Sequence, residues 1–297
     1  MGADLDAPQG ERGVTPLGAA IELADLTLQA TALAWPFADA FPFEVQARLG
    51  NAPIRLTGSA TDRQARVGFS LGALPLTVAA PYLAQTLQPA LAGELQAEGE
   101  LTWQAAAPDQ AGSLALLARS VELTGLRLGT DRQPLARLQR LAVADAQVDL
   151  LARRVAVGQV RLESPRLALA RDVQGRIDAQ AWFKPAPVRA VPATGKPAQP
   201  WAVTLADVQL AGGSVQWKDA VPAEPVNLSI DALTLRVQNL QPLAERQPDM
   251  PVSLQARVGA GGTDRADPGR LTIDGTLRLP AVDAGLSLRS QLRAERL

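Results

Sequence analysis

Apolar and polar residues alternate with a period of two along most of the chain. In Glu94-Leu-Gln-Ala-Glu-Gly-Glu-Leu-Thr-Trp103, Leu95, Ala97, Gly99, Leu101 and Trp103 fall on one side, with Glu94, Gln96, Glu98, Glu100 and Thr102 on the other. That is the pattern of a strand with one wet face. It recurs at Phe43–Leu49, Val121–Leu123, Val160–Leu162, Arg166–Leu169, Val203–Leu205, Ser214–Trp217, Leu233–Val237, Val252–Val258, Leu271–Ile273 and Leu286–Leu288. Turn signals such as Gly50-Asn-Ala-Pro53, Ala211-Gly-Gly-Ser214 and Gly259-Ala-Gly-Gly262 separate these runs and predict short antiparallel connections. The fold class expected is all-β, an elongated, curled antiparallel sheet. One exception is Pro81–Gly93, where Leu83, Leu87 and Leu91 stand at helical spacing between a proline and a glycine; it predicts one short helix near 81–92, which Pro89 bends or ends.

The alternating pattern is itself repeated. Leu23-Ala-Asp-Leu-Thr-Leu matches Ile230-Asp-Ala-Leu-Thr-Leu, Val45-Gln-Ala-Arg-Leu49 matches Leu254-Gln-Ala-Arg-Val258, and Arg55-Leu-Thr matches Arg270-Leu-Thr. A block written twice predicts a unit stacked on a copy of itself, an architecture that grows along one direction. The second copy stops before a counterpart of Pro81-Tyr-Leu, so the chain reads as a section of something longer. A Pro-rich stretch, 184–200, divides it into a first unit over 14–183 and a second over 201–297, with an ordinary surface loop expected over Gln241–Pro251.

An apolar strand face must be covered by another sheet, a helix or a ligand. About eighteen strands paired in sequence would make a ribbon on the order of 85 Å long, more than one helix can cover. Either the sheet folds over into a sandwich or barrel, or it curls into a trough with an apolar inner face. Aromatic residues, the usual filling of a sandwich core, are 4% of the chain, and the repeat favours the trough because stacked units do not close on themselves.

Composition narrows the chemistry. With 47% apolar and 20% charged residues, the 297-residue chain has a globular balance. A net charge of −1 gives no electrostatic support for nucleic-acid binding. Cysteine and histidine are both absent, which removes zinc sites of the usual kind and histidine-assisted nucleophiles. Ser59 and Ser214 read as turn serines, Asp264 and Asp267 as solvated loop acids, and Gly259, Gly261 and Gly262 as no dinucleotide fingerprint, since no helix follows. Trp103, Trp201 and Trp217 read as rim packing at strand ends. No cofactor and no catalysis is expected, although carboxylates converging from distant strands are invisible at this level. The opening residues carry neither a basic nor an apolar run of a signal peptide.

Ser164-Pro-Arg-Leu-Ala-Leu-Ala-Arg-Asp-Val-Gln-Gly-Arg-Ile-Asp178, followed by a Pro-rich loop and Trp201-Ala-Val-Thr-Leu-Ala-Asp-Val-Gln-Leu-Ala-Gly-Gly-Ser-Val-Gln-Trp-Lys-Asp219, resembles the AsmA-like family. The resemblance spans at least 21–103 and 138–288. It implies a long curled sheet with a hydrophobic groove and a role in moving phospholipid between the inner and outer membranes of Gram-negative bacteria. It also implies a periplasmic location, a parent protein anchored in the inner membrane, and membrane contact through the parent's ends. The residues expected to hold acyl chains are Leu26, Leu28, Val45, Leu95, Leu101, Leu167, Leu169, Leu205, Val215, Leu233, Leu235 and Leu254. The alternative is a periplasmic scaffold or outer-membrane assembly factor that lends a sheet edge to envelope protein partners.

Overall fold

A computed structural model describes residues 23–278 and 287–295, apart from 33, 36, 131, 133, 185–199, 245–247 and 262–267. The chain is all-β. Its strands are β1 (Leu23–Ala30), β2 (Phe41–Leu49), β3 (Ala52–Ala60), β4 (Gln64–Pro75), β5 (Leu91–Gln104), β6 (Ser113–Gly129), β7 (Pro134–Asp149), β8 (Arg154–Glu163), β9 (Arg166–Arg171), β10 (Ala202–Asp219), β11 (Val226–Leu240), β12 (Met250–Ala260), β13 (Gly269–Arg278) and β14 (Ser287–Glu295). They form one curled fourteen-stranded sheet in which each strand pairs with its neighbours in sequence, except around β9.

β9 continues β8 in line, interrupted only by Ser164-Pro165, so the sheet is thirteen strands wide, about 58 Å at about 4.8 Å per strand. β8 and β9 both run parallel to β10, the single parallel seam among the described strands. A parallel neighbour cannot be reached by a hairpin and needs a crossover of a dozen residues or more. The span from β9 to β10 supplies it. The Pro-rich stretch therefore sits inside a crossover, and the pairing of β8 and β9 with β10 carries the sheet straight through the division at 184–200.

The helix is shorter than the 81–92 expected. A 3₁₀ turn, Leu76–Ala79, leads into α1, Ala80–Leu83, and there it ends. Residues 86–88 are captured instead by the other side of the crossover: the Gln88 amide donates to the Trp182 carbonyl (2.9 Å) and the Lys184 amide to the Thr86 carbonyl (2.8 Å). Pro89 has no amide to prolong a helix, and Leu91 already stands in β5 opposite Leu128.

The first two strands of the two copies of the repeated block adopt the same structure. Leu23 faces Leu49 and Thr27 faces Gln46, just as Ile230 faces Val258 and Thr234 faces Gln255, with a bulge between in each case. The bulged residues, Asp25 (φ 52) and Ala232 (φ 50), share the left-handed conformation, and so do Ala32 (φ 56) and Asn239 (φ 54) farther along. Ala47 and Ala256, at matching places in β2 and β12, are both buried.

Strict alternation fails at a line of bulges across the sheet. In β6 to β11 the apolar face passes from Val121 to Ala118, Val143 to Ala146, Val160 to Val157, Val208 to Leu205 and Val237 to Leu240, each with two residues between. A second line runs through Gly125 (φ 59), Ser164 (φ 50) and Gly212 (φ 66). Ala211-Gly-Gly-Ser214 is accordingly no turn but a bulge inside β10, whose register with β11 shifts there. Bulges bend a strand and raise its twist, and bulges aligned across neighbouring strands curl the sheet while returning the apolar side chains to one face.

Candidate apolar face

Residues directly opposite each other on neighbouring strands project from the same face, so the register defines rows of side chains across the sheet. One row is almost pure leucine: Leu74, Leu95, Leu123, Leu141, Leu162, Leu210, Leu235, Leu254 and Ile273, from β4 to β13. The next contains six consecutive valines, Val121, Val143, Val160, Val208, Val237 and Val252, continued toward β2 by Ala97, Leu71, Ile54 and Ala47. Past the first bulge line comes Leu28, Val45, Leu56, Phe69, Gly99, Ala118, Ala146, Val157, Leu205 and Leu240. Past the second comes Leu91, Leu128, Ala136, Leu167, Val215, Ile230 and Val258.

All twelve residues singled out from sequence lie on this face. Leu95, Leu235 and Leu254 are in the leucine row; Leu28, Val45 and Leu205 share the third row; Leu167 and Val215 share the fourth. Leu101 stands between Val67 and Leu116, Leu169 opposite Trp217, Leu233 opposite Gly213, and Leu26 two residues from Leu28 on β1.

Among the described residues, little covers the face. Apart from the helical turn 76–83 against β4 and β5, and a 3₁₀ turn at Asp178–Trp182 against β9, the described elements pack almost entirely on their sheet neighbours. The leucine row is half-buried throughout rather than enclosed. Among the described residues the only large side chain below 2% exposure is Met250. The tightest patch is made of small residues: Ala118, Ala146 and Val157 pack with Val121, Val143, Val155, Val160 and Leu205. Beside it Phe69 lies over Gly99, where a β-carbon would stand 2.7 Å from the ring.

The rows end in aromatic and polar groups. Trp103 lies between Ala65 and Leu114 at one end of the strands, and Trp217 between Leu169 and Leu228 at the other. One step past Trp217 on the same face, Arg171 grips Asp219 through two bonds of 2.9 and 2.6 Å. The Val221 amide and this guanidinium hold the Asp219 carboxyl below its ordinary range. Sequence reasoning missed a string of aromatics, Trp35, Phe37, Phe41 and Phe43, whose successive ring centroids are 5.1, 5.4 and 6.3 Å apart. Trp35 is 84% exposed, whereas Phe41 and Phe43 stand on β2 opposite Ala60 and Gly58. Four aromatics within 35–43, in a chain where such residues are 4%, were the signal available.

The opposite face is polar and bound by ion pairs between strands. Arg140 bridges Glu122 (2.8 Å) and Glu163 (3.6 Å), Arg236 reaches Asp207 (2.8 Å), and Glu100 stands between Arg66 and Arg119 at 3.5 Å from each. The hydrogen bond from Arg140 lowers the pKa of Glu122, and that from Arg236, aided by Gln209, lowers that of Asp207. Ser59 and Ser214 are strand residues of β3 and β10, not turn residues, and Asp264 and Asp267 lie outside the described residues. No group of three metal-ligating side chains occurs among the described residues, and none of their helices is long and apolar enough to cross a membrane. No family model, curated protein or solved structure matches this chain.

Proposed function

We propose that the chain is a length of a periplasmic lipid carrier, in which phospholipid acyl chains lie against the leucine and valine rows and head groups stay at the polar rim. The observation that carries this reading is the apolar face itself. It runs unbroken across the sheet, keeps aliphatic side chains in register through two lines of bulges, and has almost nothing among the described residues packed on it. A soluble protein seldom leaves so large a patch bare without a ligand or partner for it. Transfer along such rows is passive partition, with roughly 0.8 kcal/mol per methylene gained on entry and returned on exit. Smooth rows without buried polar groups select for hydrocarbon and not for a particular lipid. The AsmA-like resemblance agrees with this reading and suggests the two membranes of a Gram-negative envelope as donor and acceptor.

Native mass spectrometry of the purified chain, with lipid extraction, tests it. Bound phospholipid and crosslinks to lipid from photoreactive residues at positions 101 and 235 are expected; a lipid-free protein with no crosslink at either position would sink the carrier reading.

The scaffold reading has one observation in its favour. β1 matches β11, yet the edge that β10 covers on β11 has no described strand beside it on β1, so backbone groups there have no strand partner among the described residues, as strand addition requires. Under that reading a crosslinker at position 29 captures protein, while those at 101 and 235 capture nothing.

A further inference from the structure

The sheet ends in two strands of matching length, β1 with eight residues and β14 with nine, and neither has a described strand outside it. Of the twelve seams between them, eleven are antiparallel and only that of β8 with β10 is parallel. An odd number of reversals makes β14 run opposite to β1. Were the seam at β10 antiparallel too, the two edges would run the same way.

The edges also agree in the faces they present. In β1, Leu26 and Leu28 lie on the apolar face, with Thr27 and Gln29 on the polar one. In β14, Ser290 and Ala294 stand opposite Gly275 and Leu271 of the apolar face, while Gln291 and Arg293 stand opposite Asp274 and Thr272 of the polar one. A copy of the chain moved along the sheet therefore sets its β14 beside β1, antiparallel and with apolar side continuing apolar side. The second copy of the repeated block shows what such a neighbour does. Leu23, Leu26 and Leu28 are 57%, 67% and 67% exposed, whereas their counterparts Ile230, Leu233 and Leu235 are half-buried beside β10. The backbone is presented as well: the Thr31 amide donates to the Pro42 carbonyl across the β1–β2 pair, so Leu28 and Ala30, an odd number of residues away, turn their amides to the open side.

We propose that β1 is a docking edge for β14 of a second copy of this chain, so that copies join head to tail into one continuous sheet. Such a contact joins two different surfaces and leaves one of each free at the ends, so assembly proceeds past the dimer. Backbone hydrogen bonds supply the affinity, and alternation sets the facing. A slip of two residues keeps it, whereas a slip of one would set Leu28 beside the polar residues of β14. With Gln291 beside Thr27, Arg293 comes toward Asp25, and opposite charges favour such cross-strand neighbours. The apolar rows then run on from copy to copy. This inference shares only the open edge with the scaffold reading, and it needs no lipid on the apolar face.

Sedimentation of the purified full chain over a concentration series tests it. The average mass is expected to rise past that of a dimer with concentration and to return to that of the monomer on dilution. Leu28→Pro removes an amide from the open edge and none from the β1–β2 ladder, and should weaken association about tenfold or more. Ala30→Pro should do the same, and a circular dichroism spectrum and Tm close to those of the parent establish that each variant is folded. The chain has no cysteine, so introduced ones report contacts without background. Oxidation of Thr27→Cys/Gln291→Cys should give a ladder of dimers, trimers and longer species, and a mixture of the two single variants a dimer with one of each. Both positions are on the polar side, where copies stacked through their apolar faces would not crosslink. A parent that stays monomeric throughout, a mass that stops at the dimer with Thr27→Cys crosslinked to itself, or a 27–291 crosslink within one chain overturns the proposal. No other protein is present in these measurements, so the scaffold reading is still decided by its own crosslinker at position 29.

Discussion

Leu28 and Leu235 occupy the same place in two copies of one block, yet Leu28 is 67% exposed and Leu235 is half-buried. Their cross-strand partners correspond on one side: Leu28 faces Val45 and Leu235 faces Leu254. The difference is on the other side, where β10 brings Leu210 against Leu235 and no described strand brings anything against Leu28. In the first two strands of each copy equal sequence thus comes with equal register and bulges, whereas burial is conferred by the neighbour. The third strands add a second lesson. Gln46 faces Arg55 but its counterpart Gln255 faces Thr272, so the matched Arg-Leu-Thr tripeptides are displaced by two residues. A slip of two leaves every side chain on its original face, where a slip of one would invert the strand. The short Gly50-Asn51 turn fixes the first pairing, and the longer connection between Val258 and Gly269 leaves room for the second.

Truncating the two leucines should separate the copies most. Leu235→Ala is expected to cost about 1–2 kcal/mol, less than a fully enclosed leucine because its face is open, and Leu28→Ala under about 0.5 kcal/mol. Urea unfolding of both variants measures the gap. Equal losses would mean that β1 is covered in solution by a strand the structure does not place there.

A smaller separation comes from charge. Asp207 on β10 accepts hydrogen bonds from Arg236 on β11, which lower its pKa; the residue of β1 matching Arg236 is Gln29, so the first copy has no such pair. A carboxyl with a lowered folded pKa contributes stability above its unfolded value of about 3.9, and the contribution is lost as pH falls through the lowered folded value. Arg236→Gln should therefore raise the Asp207 pKa in an NMR titration of its side-chain carbon. It should also destabilise the chain near neutrality, with the deficit relative to the parent shrinking as pH falls below about 4. The screening expected of a half-exposed arginine keeps this effect modest, and it should diminish further in high salt.

Much of this architecture is legible in the sequence because period-two alternation reports directly on strands, and the duplicated block reports on their repetition. All twelve apolar positions chosen from that alternation share one face, since a residue's side of a strand is a local property. What alternation conceals is where it breaks. Leu23-Ala-Asp-Leu-Thr-Leu, Leu123-Thr-Gly-Leu-Arg-Leu, Val143-Ala-Asp-Ala-Gln-Val, Leu205-Ala-Asp-Val-Gln-Leu and Ile230-Asp-Ala-Leu-Thr-Leu all carry two residues, not one, between apolar positions, and all sit at bulges. Read as noise in a period of two, that hexapeptide is the bulge signature itself. The parallel seam was hidden for a different reason. Pairing between β8 and β10 is non-local, and a Pro-rich stretch looks the same whether it separates two units or crosses over within one sheet.

The bulges also offer the finest comparison between the copies. Asp25 and Ala232 hold the same left-handed backbone, at φ 52 and φ 50. An L-residue there sets its β-carbon against the following carbonyl at a cost of about 1–2 kcal/mol, but aspartate, whose short polar side chain bonds locally, bears that conformation better than alanine does. Glycine removes the clash and adds back about 0.5–1 kcal/mol of backbone entropy. Ala232→Gly is therefore expected to stabilise the chain by about 0.5 kcal/mol and Asp25→Gly to change it by less, both read as shifts in the urea midpoint at constant slope. Ala232→Val, which a β-branched side chain makes worse in this conformation, should move the midpoint the other way. If Ala232→Gly were destabilising instead, the bulge would not be held in the left-handed region, and the shared geometry of the two copies at this position would be wrong.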